Sequence, residues 1–259
     1  MFKSALALVA LLLAGCSTNP VTGRDQFIAL PAVQAHANIG FALSAGARRM
    51  AGQPCEAGCG DVDLLVQFSG QVQRIGADLA AAARGMSPER IERSDAFRIS
   101  IDPDLGFATG SAADGRIALG SALARLEPAD DVTAFVIARE MAHVIARHDE
   151  EDSGVRMFSS ALSTFLPGYS LITKFLASTF GSGVLVRSWA GEQRREADEI
   201  AVALLDRSGR PASRVAQSLA AGLRTDILPE GDWATRYAES AVRVALLAQL
   251  PPRYAAFGD

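Results

Sequence analysis

At 259 residues the chain has room for one large domain or two small ones. Hydrophobic residues at 49% against charged residues at 21% describe a globular chain and exclude a disordered one, whose apolar content could not offset chain entropy. A net charge of −4 and a pI near 5.5 exclude the basic footprint of a nucleic-acid binder. With only 3 His and 3 Cys, any site built from imidazoles or thiolates must use most of them.

The N-terminus has one cation, Lys3, an apolar run from Ala5 to Leu13, and the small residues Ala14 and Gly15 before Cys16. That is the layout of a secretory signal, and the run is too short to cross a bilayer as a helix, which needs about 20 residues. The alternative is the start of a buried helix. Leu13-Ala14-Gly15-Cys16 is similar to the bacterial lipobox. The similarity implies removal of residues 1–15 and acylation of Cys16, each buried methylene contributing about 0.8 kcal/mol of membrane affinity. Ser17 stands where an Asp would commonly signal inner-membrane retention. The expected location is therefore the periplasmic face of the outer membrane, held by lipid, with the inner membrane as the second choice.

Residues 16–61 form a lipid-anchored leader. Within it Pro54-Cys55-Glu56-Ala57-Gly58-Cys59-Gly60 is read first as a short-loop disulfide between Cys55 and Cys59, as suits an oxidising compartment. A metal site would need further His or Cys nearby, and redox chemistry is the third option.

Apolar residues recur at three- and four-residue steps over 62–84, which predicts a helix stopped by Gly85 and Ser87-Pro88. Strands are expected at 97–101, 105–109 and 116–119, the last two joined by the Asp114-Gly115 turn. A helix capped by Asp130 or Asp131 is expected to run to about His148. Residues 155–186 are strongly apolar and broken by Pro167-Gly168 and Gly181-Ser182-Gly183. They suggest a helical hairpin, packed in the core or dipping into a membrane. Helices at 189–207, 211–223 and 231–249 complete one domain over 62–250, mainly α with a small β-sheet.

The chemistry concentrates at 139–143. Zinc peptidases commonly carry His-Glu-x-x-His on a helix: four residues advance it by about 400°, so both His face one metal while the Glu reaches the metal-bound water as general base. Here Glu140 and His143 occupy that frame, and the first position is Arg139.

Other segments extend the likeness. Asn19-Pro20-Val21-Thr22-Gly23-Arg24, then Phe107-Ala108 with Asp114-Gly115-Arg116-Ile117, then Glu196-Ala197-Asp198 followed by Leu204 to Gly209, occur in the order and spacing of the HtpX-like zinc metallopeptidases. The chain thus resembles peptidase family forty-eight, which includes the CAAX prenyl proteases, over about residues 19–212, and its periplasmic lipoprotein members in particular. The resemblance implies a zincin (gluzincin)-like fold, a general base at Glu140, zinc ligands at positions 139, 143 and 194, and a supporting acid at Asp198. Position 194 is Arg194. Only His143 is retained, because guanidinium stays protonated and has no lone pair to offer. Glu192 and Glu196 lie two residues either side of 194, about 200° around a helix. His148, five residues past His143, is expected to point away from it and to support the site from behind. Trp233-Ala234-Thr235-Arg236 stands in place of the His-Pro pair of many relatives.

Two versions of the site follow. Either Arg139 and Arg194 replace the metal's positive charge, so that Glu140 and Asp198 keep cationic neighbours and Glu140 accepts an ion pair, or the site has decayed and both turn to solvent. In both the chain is expected to bind no zinc cofactor and to be inactive, since no metal acidifies a water. No Gly-x-Ser-x-Gly elbow or phosphate loop offers another chemistry. The expected function is a pseudopeptidase that binds or assembles unfolded envelope proteins, using residues 115–120 as the edge strand on which active relatives align substrate. The alternatives are an active zinc endopeptidase with a divergent ligand set, degrading misfolded envelope proteins, and a purely structural lipoprotein.

Overall fold

The computed structural model describes residues 16–19, 22–27, 62–86, 97–152, 190–222 and 232–249. The signal segment 1–15, the Cys55/Cys59 pair and the apolar stretch 155–186 lie outside the described residues. The architecture is α+β, mainly helical with one small sheet.

Helix α1 (Val62–Met86) turns Phe68, Val72, Ile75, Leu79, Ala83 and Met86 inward at three- and four-residue steps, one stripe of a 3.6-residue helix. That stripe packs on helix α2 (Asp130–Ile145), which is buried on nearly every side. Neither Asp130 nor Asp131 caps α2 as expected: Ala129 is the N-cap and gives no side-chain bond. Both acids instead sit in the first turn, where the helix dipole favours negative charge. There they fasten α2 to its neighbours. Asp130 accepts from Gln71 (2.9 Å) and Arg74 (2.7 Å) of α1, and Asp131 from Arg214 (2.9 Å).

The sheet has the order β3 (Arg98–Asp102), β5 (Arg116–Gly120), β4 (Thr109–Ser111). β5 pairs parallel with β3 and antiparallel with β4, and its Ile117 and Leu119 are fully buried. The middle strand of the expected three sits later than the alternation suggested, at Thr109–Ser111. Pro103 opens a single 3-10 turn and Gly106 takes positive φ (56°), so the chain cannot stay extended there. This loop crosses the end of β5 so closely that a Cβ on Gly120 would overlap the Gly106 carbonyl. Residues 115–120, expected at an edge, carry the central strand of the three, and β3 and β4 are the edges among the described residues.

Beyond α2 come helical residues 148–152 (α3), a helix over 190–207 (α4), α5 (Ala212–Gly222) and α6 (Asp232–Leu247). Ile200, Leu204, Leu205, Val215, Leu219 and Val244 from the last three join the core. From the expected leader, β1 (Cys16–Thr18) and β2 (Asp25–Phe27) form an antiparallel hairpin, and Gln26 donates to the Ala146 carbonyl at the end of α2. Among the described residues no helix is long and apolar enough to cross a membrane.

Candidate functional site

A cleft of about 530 Å³ lies between the β4 edge and helices α2, α3, α4 and α6, and it takes in all the expected site residues of α2 and α4 except Asp198. Arg139 and His143, one helical turn apart on α2, line it together with Glu140. From α4 comes Arg194, from α6 Tyr237 and Ser240. Burial pushes the Tyr237 phenol up to about 12, and its hydroxyl donates to the Leu219 carbonyl at 3.2 Å.

Glu140, expected to accept an ion pair, makes none among the described residues. Its Oε1 instead accepts a hydrogen bond from Thr109 Oγ1 at 2.6 Å, which ties α2 to β4. The cation goes elsewhere. Arg139 Nε lies 3.0 Å from Oδ1 of Asp198, which is fully buried, while Glu140 keeps some exposure. A carboxylate without water needs a counter-charge more than one that retains a hydroxyl partner and a wet edge. Arg243 Nε donates to Asp198 Oδ2 at 2.5 Å and Ser240 Oγ to Oδ1 at 3.4 Å. One carboxylate thus faces two guanidinium groups. The Arg139 Nε–H is not aimed at its oxygen, so that contact is electrostatic and not a hydrogen bond. Arg194 Nε is buried without any hydrogen bond, and Arg194 makes no ion pair among the described residues.

Behind His143 the picture reverses. His148 does not point away: its Nδ1 lies 2.8 Å from His143 Nδ1, the rings T-shaped with centroids 4.9 Å apart. The expectation assumed one unbroken helix. α2 stops at Ile145, and Arg147 adopts a left-handed conformation (φ 62°) that restarts the chain as α3 in a new direction. A left-handed non-glycine costs about 1–3 kcal/mol; pairing of Arg147 with Glu150 (Nε to Oε2, 2.7 Å) helps to hold it.

His148 Nε2 donates to Glu196 Oε2 at 2.9 Å. A single proton lies between the two facing Nδ1 atoms. Burial, followed by the neighbouring His148, Arg139 and Arg194, holds the His143 imidazole well below its ordinary range.

Glu196 in turn receives Asn19 Nδ2 (2.8 Å), Thr22 Oγ1 and Arg24 Nε (2.7 Å), and Arg24 continues to Glu151 with 2.9 and 2.7 Å bonds. Burial works to raise the Glu196 carboxyl, but the bonds from His148, Thr22 and Arg24 outweigh it and hold it below the ordinary value. For Arg24, burial disfavours the charge, and Glu151 and Glu196 overcome it and raise the guanidinium. The sequence marked Asn19 to Arg24 only as part of a resemblance; nothing local told that this turn lands on Glu196. Thr109 and Arg243 were not singled out at all.

A scan against protein families matches the description peptidase family M48 over residues 67–249, well over half of the chain. The chain belongs to peptidase family M48. The match takes in α2, α4 and the final helix, and the α+β fold is that of a zincin-like metallopeptidase. No curated protein and no solved structure matches.

Members of such a metallopeptidase family would be expected to hold zinc where Arg139, His143 and Arg194 stand. The donor set does not fit it. A catalytic zinc takes three protein ligands with lone pairs, and here one imidazole nitrogen lies beside two guanidinium groups that have none. Among the described residues no group of three or more His, Cys, Asp or Glu is placed to hold a metal ion.

Proposed function

We propose that this member of peptidase family M48 is non-catalytic: a lipid-anchored, periplasm-facing module that holds extended segments of unfolded or assembling envelope proteins. One observation carries the reading. A guanidinium group, that of Arg139, stands at the first expected ligand position and lies 3.0 Å from the buried Asp198, which Arg243 also faces. With a second guanidinium at Arg194, the set at 139, 143 and 194 offers no Lewis acid to acidify a water. What the cleft retains is a recognition surface. The outer edge of β4 has no strand partner among the described residues and lines the cleft, so an added strand can pair with its backbone. The anchor and its outer-membrane destination rest on Leu13-Ala14-Gly15-Cys16-Ser17.

The second reading is an active zinc endopeptidase with an unusual ligand set, favoured by Glu140, which lies in the cleft with its carboxylate oriented by Thr109. A casein-cleavage assay separates the two. The non-catalytic reading expects no cleavage above background, with or without added zinc. Chelator-sensitive cleavage abolished by Glu140→Gln would establish the second. For the anchor, labelling with a radioactive fatty acid in cells should mark the native chain and not Cys16→Ser; equal labelling of both would remove the anchor from the account.

A further inference from the structure

The binding reading leaves one polar group unexplained. Arg194 Nε is buried in the wall of the cleft with no acceptor, while the rest of the guanidinium belongs to a side chain that lines the same space. A desolvated donor left without a partner costs about 1–3 kcal/mol. Charge at this end of the cleft is also unbalanced in a specific way. Asp198 answers both Arg139 and Arg243, and no acid answers Arg194 among the described residues. Thr109–Ser111 of β4 line the same cleft, and the outer edge of that strand has no strand partner among the described residues.

We propose that Arg194, with Arg139 beside it, receives the C-terminal carboxylate of a peptide laid along Thr109–Ser111. The proposal rests on the peptide-binding reading above and names its ligand: a free chain end and not an internal segment. The planar guanidinium fork matches a carboxylate with two parallel hydrogen bonds. A dianionic phosphate fits less well, because Glu140, Asp149 and Asp152 line the same cleft and oppose a second negative charge. At about 530 Å³ the cleft lies within the range of about 300–1,000 Å³ typical of small-ligand sites, enough for the end of a chain and not for a folded domain.

The test is fluorescence anisotropy on the purified full-length chain in detergent, with an N-terminally labelled, degenerate decapeptide pool prepared as the free acid and as the C-terminal amide. The free acid should bind at least about tenfold more tightly than the amide. Arg194→Gln should bring the two together, Arg194→Lys should recover only part of the difference, and Arg74→Gln, on an exposed pair elsewhere, should leave it intact. Sodium acetate should displace the free acid at concentrations where inorganic phosphate does not, which tests the native chain without any variant. Equal binding of acid and amide overturns the carboxylate receptor and leaves the binding module standing. Stronger competition by phosphate, or a preference that survives Arg194→Gln in a protein that melts like the native one, also overturns it. Binding of neither pool sinks both proposals.

Discussion

The two sides of His143 are built on opposite terms. Behind it, His148, Glu196, Asn19, Thr22, Arg24 and Glu151 form a closed chain of hydrogen bonds in which donors meet acceptors at 2.7–2.9 Å, apart from the shorter Thr22 contact. In front of it, Arg139 touches Asp198 without a directed hydrogen bond and Arg194 Nε has no acceptor. The rear is an arrangement for stability and orientation. The front carries the guanidinium groups of Arg139 and Arg194 beside the acids Glu140, Asp149 and Asp152, where the zinc peptidases would carry a metal. An imidazole oriented with this much support, beside groups that cannot share a metal with it, is what the proposed non-catalytic reading expects of this site.

The comparison can be broken hardest at Asp198. Asp198→Ala leaves Arg139 and Arg243 without their shared carboxylate in a buried setting, and stability should fall by about 3–5 kcal/mol in urea denaturation. A loss below about 1 kcal/mol would mean both guanidinium groups reach water. Glu196→Gln, which keeps the shape but removes the charge behind His143, should cost about 2 kcal/mol by the same measurement.

Glu196 also predicts a pH dependence. Its folded carboxyl lies below the ordinary 4.5, so the stability it contributes is fully present above that value and is lost as pH falls through the lower folded value. The native chain should therefore lose stability on acidification below pH 4.5 more steeply than Glu196→Gln. Parallel acid limbs in the two proteins would show that the network behind His143 does not hold that charge.

In front, the effect should change sign. Arg194→Met removes a buried donor without an acceptor and should stabilise the chain by about 1 kcal/mol, measured as a raised urea midpoint at unchanged m-value. Destabilisation by a similar amount would show that Arg194 has a structural partner and would remove the contrast between the two sides. The smallest effect is expected far from the cleft: Arg74→Ala breaks an ion pair whose members are 56% and 51% exposed, and the change should stay within about 0.5 kcal/mol.

How much of this could be read from the residues varies with the range of the interaction. The α1 stripe from Phe68 to Met86 and the placement of Glu140 and His143 on one helix follow from periodicity, a local property. β4 did not, because Thr109-Gly110-Ser111 has no apolar residue to alternate and takes its place from pairing with β5. The turn at Arg147 was also hidden: arginine carries no preference for positive φ, so the helix was carried through to His148 and the imidazole was sent the wrong way. The bond between Asn19 and Glu196 spans 177 positions, and no local pattern reports a contact at that separation. The substitutions at 139 and 194 were plain in the sequence, but their consequence was legible only in part: which acid Arg139 would answer depended on the depth of Asp198.

The proposed exclusion of zinc rests on guanidinium groups at 139 and 194, where the ion would need electron-pair donors. It is tested most directly by measuring the metal content of the full-length chain, purified without chelator and equilibrated with zinc, by plasma mass spectrometry, beside the double variant Arg139→His, Arg194→Glu. The account predicts no zinc above background in the native chain and about one zinc per chain in the variant, whose His-His-Glu set matches a catalytic zinc site. About one tightly held zinc in the native chain, lost on mutation of His143, would contradict it.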